Sequence, residues 1–142
     1  MKQVDYDMLL LNISRNASEK AAYFQECLGQ HLIASYVSQF GYRAKVYSGD
    51  VVGCKEIIEN EILSHCVKIV GFYVGADTVH LVANIIKWIK GHYSVMVSVG
   101  GPEAYSLGRD FLVRTNCDYI VYGEGEIPCL NLLRLVVDGI GE

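Results

Sequence analysis

The sequence predicts a three-layer α/β/α fold, Rossmann-like in plan, with helices on both faces of a five-stranded parallel sheet. Three observations predict it. Apolar runs alternate with helical stretches five times along 142 residues, the pattern of β–α units joined by right-handed crossovers. Most of the runs are short, β-branched and apolar without alternation, as strands buried on both faces are. Two of them stop abruptly in glycines, at the sheet edge where open α/β folds bind ligands and where glycine lets a ligand approach main chain. The expected strand order is the flavodoxin-like 2-1-3-4-5, with a ligand crevice between the first and third strands.

The first strand is Met8-Leu9-Leu10-Leu11 within Asp5 to Ile13, and Asn12 to Ser18 is the polar loop behind it. A helical segment with a bend near Gly29 follows. Its Leu32, Ile33, Tyr36, Val37 and Phe40 fall at helical spacing, and Gly41 ends it. Tyr42 to Tyr47 alternates and reads as a strand near a sheet edge. Ser48-Gly49-Asp50 is a turn that caps the next helix, whose stripe is Val52, Ile57, Ile58, Ile62 and Leu63. Lys68 to Val74 is the third strand and Gly75 to Thr78 its loop, with Asp77 as N-cap of a helix running to about Lys90. That helix turns Val79, Val82, Ile85, Ile86 and Ile89 inward, Gly91 ends it, and Val95 to Val99 is the fourth strand. Residues 103 to 115 form a short helix or irregular crossover, and Tyr119 to Tyr122 is the fifth strand. Ile127 to Val137 is the last helix, with Pro128 in its first turn and Leu130, Leu133, Leu135 and Val136 facing inward.

Composition narrows the function. Residues 1–142 read as a single domain. Hydrophobic content of 51% and charged content of 20% describe a chain that buries a core. A net charge of −4 argues against nucleic acid as the partner, which calls for a basic face. No apolar run approaches the roughly 20 residues of a membrane span, and no signal peptide is evident. Cys27, Cys54, Cys66, Cys117 and Cys129 are odd in number and widely spaced, which points to reduced thiols and a cytoplasmic setting. No C-x-x-C pair occurs, and His31, His65, His80 and His92 are scattered with no second ligand at metal spacing.

The candidate site is the set of loops after the strands. It comprises Asn12 and Ser14, then Val74, Gly75, Ala76, Asp77 and Thr78, then Gly100, Gly101, Pro102 and Glu103, and finally Tyr122, Gly123, Glu124 and Gly125. These loops carry no Ser-His-Asp spacing, no phosphate-binding G-x-x-x-x-G-K-[ST] and no G-x-G-x-x-G, so neither a catalytic nor a metal-ligating set is identified. Backbone, small residues and hydroxyls remain, which suits a large, mostly uncharged ligand held by shape and main-chain hydrogen bonds. Glu124 lies between two glycines on the binding edge, whereas Glu126 equally reads as a charge complementing the dipole of the last helix.

Two motifs carry a resemblance. Val99-Gly100-Gly101-Pro102-Glu103, followed by Asp118-Tyr119-Ile120-Val121-Tyr122-Gly123-Glu124-Gly125-Glu126, resembles the cobalamin-binding domain that precedes the catalytic barrel of many radical S-adenosylmethionine enzymes. Gly41-Tyr42-Arg43-Ala44-Lys45-Val46 is similar to that family's lead-in to the second strand. The resemblance implies a flavodoxin-like domain that binds cobalamin on the carboxyl edge of its sheet, with the nucleotide tail near Gly75, Ala76, Gly100 and Gly101. It implies an N-terminal fragment that presents the corrinoid to a radical S-adenosylmethionine domain in cis, for methyl transfer or related radical chemistry. The iron–sulfur cluster and S-adenosylmethionine would belong to the parent enzyme. This chain lacks C-x-x-x-C-x-x-C and would be inactive alone.

The chain departs from the pattern at its first loop. Asn12-Ile13-Ser14-Arg15-Asn16 stands where classical relatives have D-x-H-x-x-G, so no histidine is offered to cobalt. Glu26-Cys27-Leu28-Gly29 stands in place of a proline-rich segment. These departures motivate an alternative, a degenerate Rossmann-like module that keeps the fold without a cofactor and serves docking or specificity. A receiver-type or flavodoxin-type domain shares the topology. A phospho-receiver needs clustered acids after the first strand and a lysine after the fifth, and neither appears here.

Overall fold

The computed structural model describes residues 5–14, 27–65 and 67–141. Strand and helix alternate throughout: β1 (Met8–Ile13), α1 (Leu28–Ser38), β2 (Ala44–Gly49), α2 (Val51–His65), β3 (Ile69–Tyr73), α3 (Val79–His92), β4 (Met96–Gly100), α4 (Ala104–Thr115), β5 (Tyr119–Ile120) and α5 (Glu126–Asp138). The strands form one sheet in the order β2-β1-β3-β4-β5, and every pair is parallel. This is the flavodoxin-like three-layer architecture that the β–α alternation predicts.

Strand alternation divides the core in two, because successive side chains point to opposite faces. Met8, Leu10 and Ile69 pack with Val37 of α1 and Leu130 and Leu133 of α5. Leu9, Leu11, Val70, Phe72, Val97 and Val99 pack against α2, α3 and α4. β1 lies inside the sheet, between β2 and β3, and is buried along nearly its whole length. β2, at the edge, is only half buried over its first five residues, as its alternating sequence implies.

The helices differ from expectation in ways that packing explains. In α3 the residues Val82, Ile85, Ile86 and Ile89 are buried as their spacing requires. In α2 the buried positions are Cys54, Ile58 and Glu61, while Val52 and Leu63 are exposed, the latter at 75%. Glu61 is buried because Lys45 Nζ reaches it from β2 at 2.6 Å, a partner that local sequence does not reveal. In α1, Leu32 is exposed, as is Phe40 in the turn that follows, and Gln30 joins Val37 as a buried residue. Asp77 does not cap α3. Thr78 is the N-cap residue, and its hydroxyl accepts the Gly75 N–H at 3.0 Å to close the preceding turn. Asp50 does accept the Gly53 N–H, at 2.8 Å, in the first turn of α2. Residues 104–115 are helical but broken at Gly108, whose φ and ψ are 61° and −171°. β5 pairs over only two residues, since the chain leaves the sheet after Val121 and turns at Gly123 with φ 75°.

Cys54, Cys117 and Cys129 are buried free thiols, and Cys27 is a half-buried one. Burial pushes the Cys54 and Cys129 thiols up to about 12 and that of Cys117 up to about 11. They are inert core residues under ordinary conditions. Cys66 lies outside the described residues.

Candidate functional site at the carboxyl edge of the sheet

Because all the strands are parallel, their carboxyl ends meet on one edge. Asn12 and Ser14, Val74 to Thr78, Gly100 to Glu103 and Tyr122 to Gly125 therefore converge there, as the strand order requires. Arg15 to Ser18, which belong to the first of these loops, lie outside the described residues. Ser14 donates its N–H to the Gly49 carbonyl at 2.8 Å, and the hydroxyls of Ser14 and Ser48 are buried without a partner among the described residues.

The loops after β3 and β4 are stitched together through main chain. Val74 N–H donates to Gly100 O at 2.8 Å, and Glu103 N–H donates to Val74 O at 3.3 Å. Gly101 has φ 109°, and a Cβ there would lie 2.9 Å from Val74 O and 3.1 Å from Tyr73 Cδ2. The glycine is thus required by the chain's own turn. At Gly125 a Cβ would lie 2.6 Å from Ile33 Cδ1, so this glycine admits the α1 side chain against the start of α5. Tyr73 and Val74 thus crowd Gly101 and Ile33 crowds Gly125, whereas a Cβ at Gly100 would meet nothing closer than 3.7 Å. Burial pushes the Tyr73 phenol above its ordinary value, with Cys27 and Asp77 adding to the effect.

The outer part of the rim is acidic and aromatic. Residues 74–78, 100–105 and 122–127 contain Asp77, Glu103, Glu124 and Glu126 and no lysine or arginine. Tyr105 and Tyr122 stack with centroids 5.1 Å apart and planes at 29°, although they are 70% and 47% exposed. Ile127 stands exposed in the first turn of α5. Asp118, part of the motif that carries the resemblance, faces the other way. At the amino edge it accepts Lys90 Nζ and Val97 N–H, each at 2.8 Å, and so anchors β5 to α3 and β4.

Behind the rim, the sheet, α1 and α5 enclose a cavity of about 310 Å³. Gly71, Ser98 and Gly100 line its sheet side, and Gln30, Ile33 and Cys129 its helix side. Gln30 was not evident from the sequence as a site residue. Its signal was there, since it lies seven residues before Val37 and shares that inward face.

Among the described residues no group of three or more His, Cys, Asp or Glu could hold a metal ion, and no helix is long and apolar enough to cross a membrane. The ends of β1 and β5 carry Asn12-Ile13-Ser14 and Val121-Tyr122-Gly123, so the acids and lysine of phosphoryl transfer are absent from both.

Comparison with solved structures agrees with this geometry. A CheY-like protein, TadZ, from Pseudomonas aeruginosa matches with a TM-score of 0.59 at 7% identity, over 95% of this chain and 97% of that one. A protein from Burkholderia pseudomallei described as pilus assembly-related matches with a TM-score of 0.59 at 14% identity, over 99% and 98% of the two chains. The Salmonella typhimurium response regulator RcsB matches with a TM-score of 0.53 at 14% identity, over 98% of this chain but only 63% of that one. At such identities the likeness is one of fold, and the fold is CheY-like. No family model matches the chain, and neither does any curated protein sequence.

These comparisons correct the reading drawn from the glycine motifs. The neighbours are a CheY-like protein, a pilus assembly-related protein and a response regulator, not cobalamin-binding domains. The expectations of cobalamin and metal-ion binding, of a radical S-adenosylmethionine partner domain with its iron–sulfur cluster, and of methyltransferase chemistry in a parent enzyme are overturned together. The physical reason lies in the same residues. Gly101 and Gly123 take positive φ in turns of a CheY-like sheet, and Gly125 makes room for Ile33, so the motifs answer to the chain's own turns and packing.

Proposed function

We propose that this chain is a non-catalytic docking module of CheY-like fold, which meets a partner protein through the carboxyl edge of its sheet. The observation that carries the proposal is the makeup of that edge. Three converging loops bring together Asp77, Glu103, Glu124 and Glu126 without a basic residue, around an exposed Tyr105–Tyr122 stack. Tyrosine anchors ringed by charge are the composition of a protein-binding patch. The partner surface that fits is apolar at its centre and basic at its margin.

The candidate residues take roles within that module. Ala76, Asp77, Pro102, Tyr122, Gly123 and Glu124 are exposed and form the contact surface. Val74 and Thr78 are buried and hold the loop between them in place, with Gly75, Gly100, Gly101, Glu103 and Gly125 shaping the turns. Asn12 and Ser14 close the edge at β1. Residues 1–142 are read as one domain, since a single sheet organises both halves of the core. A cytoplasmic setting is proposed on the strength of the free thiols.

The test is charge reversal. In the native host, the tagged chain should elute within an assembly larger than its own 15.8 kDa. Glu124→Lys with Glu126→Lys should return it to that mass, while Lys68→Glu, at the opposite edge, should leave the assembly intact. Elution of the unaltered chain at its own mass, or equal behaviour of the two variants, would contradict the docking reading.

A further inference from the structure

The cavity behind the rim goes beyond the docking reading and does not depend on it. Its volume, about 310 Å³, is at the small end of the range for ligand sites. On its sheet side Gly71 and Gly100 add no side chain of their own, and Leu10, Ser98 and Val121 line the wall beside them, with Leu10 Cδ2 2.9 Å from where a Gly71 Cβ would lie. Ile33 and Cys129 make the facing wall apolar.

Among the polar groups of the lining, which include Ser98 and Glu124, Gln30 carries a buried atom without a partner among the described residues. Gln30 is only 4% exposed and lines the cavity. Its Nε2 donates to the Leu11 carbonyl at 2.8 Å, which fixes the amide. Its Oε1 is buried and has no partner among the described residues. An acceptor held dry calls for a donor. A single water occupies about 30 Å³ and needs two to four polar partners, so water would leave most of the space empty.

We infer that this cavity binds a small, mainly apolar heterocycle that donates one N–H to Gln30 Oε1. Leu10, Gly71 and Val121 face it from the sheet, and Ile33 and Cys129 from the helices. Glu124 and Glu126 at the lining disfavour an anion, so the ligand is neutral or cationic.

Indole is the probe, with the ¹⁵N-labelled whole chain followed by NMR. Indole and 3-methylindole should shift the Gln30, Gly71 and Ser98 amides saturably. 1-Methylindole, which matches 3-methylindole in size but lacks the donor, should bind about tenfold more weakly, the usual effect of one unmade buried hydrogen bond. Gln30→Met should weaken indole by the same factor and leave 1-methylindole unchanged. No saturable shift, shifts confined to surface amides, or equal binding of the two methylindoles would each overturn the proposal, as would a cavity that holds water only. If Gln30→Met does not fold, the two methylindoles decide the matter on the unaltered chain. A failure of docking moves none of these readouts.

Discussion

The two faces of the sheet are built from the same strands and close in different ways. Against α2, α3 and α4 the sheet is filled by branched side chains, with Val82, Ile85, Ile86 and Ile89 seated on Val70, Phe72, Val97 and Val99. Against α1 and α5 it is partly bare, because Gly71 and Gly100 supply no side chain and a cavity remains under Gln30 and Ile33. The filled face holds the fold, and the bare one leaves room at the edge where the loops converge.

The largest expected effect tests the filled side. Ile86→Ala should cost about 3 kcal/mol in urea unfolding, since Ile86 is fully buried in a packed layer. Leu32→Ala on α1, at a residue 49% exposed, should cost about 0.5 kcal/mol or less. Equal costs would remove the distinction between the faces.

The next effect concerns the turn between them. Gly101→Val should cost about 2 kcal/mol, because it puts a branched side chain at a positive φ and against Val74 O. At Gly100 a Cβ meets nothing closer than 3.7 Å, so Gly100→Ala should cost about 0.5 kcal/mol in the same urea measurement. A tolerated Gly101→Val would mean that this glycine answers to something other than the turn.

The smallest effect is one of pH. Burial holds the Cys54 and Cys129 thiols neutral up to about 12, and that of Cys117 up to about 11, against an ordinary value of 9.0. The unfolded chain then loses these protons first. The stability they contribute is intact below pH 9 and declines from there towards the folded values. The urea midpoint should fall as pH rises from 9 towards 11, the window set by those shifts, and fall less steeply in Cys129→Ala. Tyr47 and Tyr73, also raised by burial, act in the same direction. A midpoint that rises over this range would show that the thiols are not held neutral.

Much of the architecture was legible because it rests on period and punctuation. The run Met8 to Leu11 announces a central strand, and α3 announces its buried stripe at Val82, Ile85, Ile86 and Ile89. The convergence of the four loops follows from parallel order alone. What escaped depends on distant partners. Glu61 is buried through Lys45, sixteen residues away, and Gln30 through Leu11 O, nineteen away. β5 shortens because Gly123 turns the chain, which an apolar run of four does not disclose. The glycine motifs misled for a related reason. A turn that admits a ligand and a turn that admits Tyr73 or Ile33 ask for the same residue, and only the third dimension separates them.

The docking edge is tested most directly by in-cell crosslinking, with a photoreactive amino acid placed at Tyr122 on the carboxyl edge or at Met96 on the amino edge, both exposed. The account predicts a discrete protein adduct from position 122, lost when Glu124 and Glu126 are reversed to lysine, and none from position 96. Adducts from both edges alike, or from position 96 alone, would contradict it.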